Sequence, residues 1–210
     1  MEQRVAEFVE YLDSLFNMAF KSSSFDTLCA VLRVGGWMSQ DWDPFVESQE
    51  AFEDYDWLLE KARSERTPFA AWRVALLTYC HAVEMTVPHV LLANLLRIVA
   101  REPYVIYPFA DLVRRRKKDP LASIPPSATT KIKRIRSLAD NAGEPKLVEI
   151  LDSFFDDQVR NAFSHSDYVL TESGFRWTES GPASEIPLDK LTMMVETCSA
   201  FYTALLACQP

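Results

Sequence analysis

The chain has 210 residues, 48% of them hydrophobic, and a formal net charge of −8. That composition supports a sizeable core, and no uninterrupted apolar run reaches the roughly 18 residues of a transmembrane helix. The acidic balance argues against a protein that binds nucleic acid nonspecifically over its whole surface.

Residues 3–20 place apolar side chains at spacings of three and four, which predicts an amphipathic helix. This N-terminus lacks the basic start and apolar block of a signal peptide, so a cytoplasmic protein is expected. Ser22-Ser23-Ser24 interrupts the pattern and suits the cap of a second helix over about 25–38, weakened near its end by Gly35-Gly36. A third helix is expected over about 43–64. It follows or carries Asp41, Asp43, Glu47, Glu50, Glu53, Asp54, Asp56 and Glu60 before the first basic residue, Lys61. With no histidine and no ordered loop signature among them, these acids read as a solvated face rather than a metal site.

Thr67-Pro68 is a good helix start. A helix is expected from there to about Thr86, resuming after Pro88 to about Arg101. The stretch AWRVALLTYCHAVEM is apolar on most sides and should be core. Glu84 inside it needs a partner, and Arg160 and Arg73 are the candidates. His81 and His89 read as core or surface histidines rather than ligands. Trp37, Trp42, Trp57 and Trp72 read as core or interface anchors. Residues 102–130 hold Pro103, Pro108, Pro120, Pro125, Pro126 and the run RRRKK, and read as a long exposed connection.

Helices return at about 128–141 and 145–163, separated by Gly143 and opened by Pro145. Strand-like runs at 168–171 and 175–178 flank Glu172-Ser173-Gly174, a small β-hairpin. A last amphipathic helix spans about 188–207. The reading is all-α with one small hairpin. Residues 1–65 form an N-terminal helical extension and 66–210 the main helical domain, the two being one continuous domain if their cores merge. Cys29, Cys80, Cys198 and Cys208 show no C-x-x-C spacing and are expected as reduced thiols.

Charge is not spread evenly. Residues 114–146 hold 10 of the 22 Lys and Arg against three acids. A surface for RNA should therefore use Arg114, Arg115, Arg116, Lys117, Lys118, Lys131, Lys133, Arg134 and Arg136.

The stretch DDQVRNAFSHSDY puts Arg160, Asn161 and His165 together at an expected helix end. Positions five apart diverge by about 140° on an unbroken helix. A helix that ends near Ser164 lets His165 turn back toward the long Arg160 side chain. A guanidinium that grips phosphate oxygens and an imidazole that exchanges protons near neutral pH then share a niche with Asn161 and Ser164.

Arg-Asn-Ala-Phe-Ser-His at 160–165 resembles the Arg-x4–6-His signature of the HEPN superfamily, small helical domains. The setting is similar too: a core helix ends in the motif, a hairpin follows, and an amphipathic helix closes the chain. The resemblance implies a metal-independent endoribonuclease of toxin or phage-defence type, needing no cofactor and no metal. It implies a homodimer with two motifs facing one cleft, and an antitoxin or other protein partner. It assigns Arg160 to stabilising the transition state, His165 to proton transfer at the ribose 2′-OH or the leaving oxygen, and Asn161 and Ser164 to support. The products would carry 2′,3′-cyclic phosphate and 5′-OH ends. The alternatives are a catalytically silent HEPN-like module for a nucleotide or protein, and a helical scaffold of unrelated ancestry.

Overall fold

The protein is represented by a computed structural model, which describes residues 1–33, 44–65, 68–116, 119, 122–178 and 182–208. It is mostly helical with small antiparallel sheets.

Helix α1 (Glu2–Ser22) buries Tyr11, Leu12, Leu15 and Ala19, a stripe at helical spacing. It packs on α5 (Thr86–Val99) and α9 (Leu188–Ala207). Ser23 is extended, and its hydroxyl accepts the Asp26 N–H at 3.3 Å, which starts α2 (Ser24–Val31). This helix is shorter than expected. Leu32 caps it and Arg33 takes a left-handed backbone, φ 53°; residues 34–38 lie outside the described residues.

Helix α3 (Pro44–Ser64) lies along α4 (Pro68–Glu84). Its Glu47, Glu50, Glu53, Asp54, Asp56 and Glu60 are all exposed, while Asp41 and Asp43 lie outside the described residues. Helices α4 and α5 are almost continuous, bent by 45° at Met85. The break falls before Pro88, not at it. Pro88 sits in the first turn of α5, where its missing N–H removes no intrahelical bond.

The segment expected to be a long exposed connection is largely tied down. Asn94 of α5 is fully buried and grips Val105 twice: its Nδ2 donates to the Val105 carbonyl and its Oδ1 accepts the Val105 N–H, both at 3.0 Å. Phe109 is fully buried, and Pro108 and Pro126 are buried too. The short β1 (Arg114–Arg115) and β2 (Ser123–Ile124) ribbon is exposed throughout, and Ile106 between the two anchors is exposed as well.

Helix α6 (Ala128–Ala142) is capped by Ser127 and closed by Gly143 in the left-handed region, φ 75°. The helix expected over 145–163 is two helices, α7 (Pro145–Phe154) and α8 (Asp157–Ser164). Phe155 and Asp156 are extended, and Asp156 Oδ1 accepts the N–H groups of Gln158 and Val159 at 2.9 and 3.0 Å. The capping carboxylate thus starts a new helix inside what reads as one periodic run.

The expected hairpin is part of a three-stranded sheet in the order β3 (Tyr168–Leu170), β4 (Gly174–Trp177), β5 (Ser184–Pro187). Arg176 pairs with Glu185 across β4 and β5 at 3.0 Å. The sheet rests on α9. One continuous apolar core runs from Tyr11 of α1 through Phe52 and Leu59 of α3 to Leu205 of α9. Helices α1, α2 and α3 therefore contribute to the same core as the rest. Among the described residues, no single helix is long and apolar enough to cross a membrane.

Candidate functional site

Helix α8 is fixed on α4 by its buried side chains Val159 and Ala162 and by a clasp at its start. The buried Tyr79 hydroxyl accepts the Asp156 N–H at 3.0 Å and donates to the Asp156 carbonyl at 3.2 Å. Arg160, one position past Val159, is thereby aimed at the C-terminal end of α4.

There it meets three partners. Arg160 Nη1 lies 3.2 Å from Glu84 Oε1, and Nη2 donates to Thr129 Oγ1 of α6 at 3.4 Å. Its backbone carbonyl accepts the Cys80 thiol at 4.0 Å. The guanidinium is mostly enclosed, 15% exposed, and its Nε has no hydrogen-bond partner. Of five N–H groups, two are engaged and two further Nη hydrogens remain for an incoming oxyanion.

Lys131 joins the cluster from α6. It is only 5% exposed, and its Nζ donates to Thr86 Oγ1 at 2.9 Å. Burial lowers its pKa, and the nearby Glu84 carboxylate opposes that shift. Arg160 thus pairs with Glu84, and Lys131 is a second cation that feels the same carboxylate. Burial also pushes the Cys80 thiol up to about 11; a hydrogen bond from Ser164 and the Arg160 charge work against that, and Glu84 adds to it. Cys80 is therefore a packing thiol at neutral pH rather than a nucleophile.

Helix α8 ends at Ser164, as the sequence implies, and His165 is its C-cap. The Ser166 N–H returns to the Phe163 carbonyl at 3.1 Å and the Asp167 N–H to the Ala162 carbonyl at 2.9 Å. This paired closure requires a left-handed residue at Ser166, φ 60°. The chain beyond is held by an aromatic row: Phe163 on Tyr168 at 5.2 Å, then Tyr168 stacked on Phe175 at 5.0 Å. His165 is exposed on this corner. No hydrogen bond joins it to Arg160 among the described residues. Asn161 is half-buried and its carbonyl accepts the His165 N–H at 2.9 Å, while Ser164 is exposed and faces Cys80.

Among the described residues, the basic candidates are divided between the surface, ion pairs and the interior. Arg114, Arg115 and Arg116 are exposed on the β1–β2 ribbon, and Lys133 is exposed on α6. Lys131 points inward instead. Arg134 is paired with Asp111, and Arg136 with Asp152 at 2.6 Å while lying 5.8 Å from the Phe155 ring centre. A 15-residue amphipathic helix must bury one face, and Lys131 falls on it between Ala128 and Ile132. Lys117 and Lys118 lie outside the described residues.

Of the other candidates, His81 Nε2 lies 2.7 Å from the Ser48 carbonyl, and His89 is 1% exposed with Nε2 3.0 Å from the Tyr202 hydroxyl. Trp57 is exposed and Trp72 half-buried; Trp37 and Trp42 lie outside the described residues. Sequence reasoning named Glu84 as a carboxylate needing a partner, and the partner is Arg160. It missed Thr129, Thr86 and the inward turn of Lys131, for which local sequence holds no signal.

No protein-family model matches the chain, and comparisons with curated proteins and with solved structures find no match either.

Proposed function

We propose that this protein is a metal-independent endoribonuclease of HEPN type, of the toxin or phage-defence class, working as a homodimer. The observation that carries the reading is the Arg160 cluster. A mostly enclosed guanidinium with spare N–H groups pairs with a carboxylate that a second buried cation also feels, five residues before an exposed histidine at the helix end.

In this reading His165 of one protomer accepts the proton of the ribose 2′-OH as that oxygen attacks phosphorus. Arg160 holds the nonbridging oxygens as their charge grows. The 5′-oxygen leaves with a proton from the second His165, giving a 2′,3′-cyclic phosphate and a 5′-OH. The exposed arginines of the β1–β2 ribbon guide the RNA backbone. Glu84 holds the guanidinium in place between turnovers. A protein antitoxin would bind over the same cleft.

The test is cleavage of mixed tRNA and mRNA in EDTA by wild type, Arg160→Ala and His165→Ala, with end analysis and sedimentation. Loss in both variants, cyclic phosphate ends and a dimer are expected. A folded wild type that cuts nothing removes the nuclease reading. It would favour the second reading, a silent module that binds a nucleotide or a protein. That reading draws on the Glu84 carboxylate already facing Arg160 and on the lack of a bond between Arg160 and His165.

A further inference from the structure

Glu84 serves two places at once. One side faces Arg160 at 3.2 Å; the other borders a recess of about 210 Å³ between α3, the end of α4 and the start of α5. Ser48, His81, Met85, Thr86 and Pro88 also line it. Pockets for drug-sized ligands measure about 300–1,000 Å³, so this smaller recess suits one flat ring system rather than a whole nucleotide.

Its polar lining offers an acceptor and a donor. The Glu84 carboxylate only accepts hydrogen bonds. His81 Nε2 sits 2.7 Å from the Ser48 carbonyl, which only accepts, so that nitrogen carries a hydrogen and the contact fixes the ring at the recess wall. The Thr86 hydroxyl oxygen already accepts from Lys131, so its own hydrogen is left to donate. Met85, Val87 and Pro88 supply apolar surface for a ring face.

We infer that this recess is a base subsite, taking the nucleobase next to the phosphate held by Arg160 and selecting a base with an amino group on its pairing edge. The inference rests on the nuclease reading for its phosphate, but base selection is a property of the recess itself. Guanine fits best. Its N1–H and N2–H₂ donors meet the Glu84 carboxylate side by side, and its O6 accepts from a donor such as Thr86. Uracil fits worst, since its single N3–H lies between two carbonyls that the carboxylate repels. RNA-binding proteins commonly read an unstacked base in this way, by its pairing edge and by stacking.

The experiment is calorimetric titration of the full chain with GMP, AMP, CMP and UMP at fixed salt. Wild type should bind GMP about tenfold more tightly than UMP, the discrimination of one good paired contact. Glu84→Gln should bring the two within about twofold, because the amide replaces one acceptor with a donor. Any effect of Glu84→Gln on phosphate binding is common to all four nucleotides and cancels in the ratio. Val87→Phe narrows the recess while keeping the Glu84 carboxylate and Arg160 in the sequence, and should also erase the preference. Equal affinity for the four nucleotides, a ratio unmoved by both variants, or no binding at millimolar nucleotide overturns the inference. The two readings fail separately. Base preference without cleavage keeps the subsite and removes the nuclease; cleavage without base preference does the reverse.

Discussion

His89 offers a test in which the magnitude follows from the structure. It is fully buried in α5, with Nε2 3.0 Å from the Tyr202 hydroxyl and Nδ1 enclosed without a partner. Burial, with the Lys131 charge adding to it, pushes its pKa from 6.5 down to about 3. The folded protein then keeps the ring neutral while the unfolded chain protonates it below about pH 6.5. The unfolded state binds more protons in that window, so stability falls as pH falls. The slope is about 1.4 kcal/mol per pH unit, or about 2 kcal/mol lost by about pH 5. That is a large share of a typical 5–15 kcal/mol. The Asp26 and Glu185 carboxyls are both held below their usual range, so they lose stability only at lower pH and leave the window above pH 5 to the imidazole. Urea unfolding between about pH 7 and pH 5 measures the effect, with an unchanged m-value as the control. His89→Phe should lower stability throughout, through the lost Tyr202 bond, but flatten the slope. A wild-type curve flat over this range, or the same slope in the variant, would refute the argument.

Three other outcomes are expected. Asp156→Ala removes the α8 cap and should cost about 1 kcal/mol, with faster amide exchange at Gln158 and Val159. Gly174→Ala sets a methyl group inside van der Waals distance of the Ile186 carbonyl in the paired strand, and should cost about 1–3 kcal/mol by chemical denaturation. Replacing Arg114, Arg115 and Arg116 together with Ser should weaken RNA binding and flatten its log–log salt dependence by about 0.7 for each phosphate no longer neutralised; unchanged binding at low salt would give the ribbon another role.

Much of the architecture is legible because its causes are local. The helical spacing of Tyr11, Leu12, Leu15 and Ala19, the Ser127 cap and the Gly143 stop each act within a few residues. The end of α8 at Ser164 belongs here too, and with it the exposed corner that carries His165. The mistaken boundaries share a cause. Asp156 reads as one more acid in a periodic run until its carboxylate turns back onto the Gln158 and Val159 N–H groups. Strand β5 shows no alternation of its own and exists because β4 offers it an edge. The proline-rich 102–130 segment looks exposed because Asn94, which holds it, lies on another element.

The sequence by itself determined the helical character, the segregation of positive charge into residues 114–146, and an arginine and a histidine at one helix end. The tertiary structure decided what the arginine faces. Glu84, Thr129 and Lys131 come from two other helices, and their meeting with Arg160 depends on how α4, α6 and α8 pack. It also turned Lys131 inward and tied Arg134 and Arg136 to Asp111 and Asp152, reducing the expected basic surface. Periodicity and caps act through backbone hydrogen bonds a turn apart, so they are written in the local sequence. An ion pair between distant segments is written only in the packing that closes the distance.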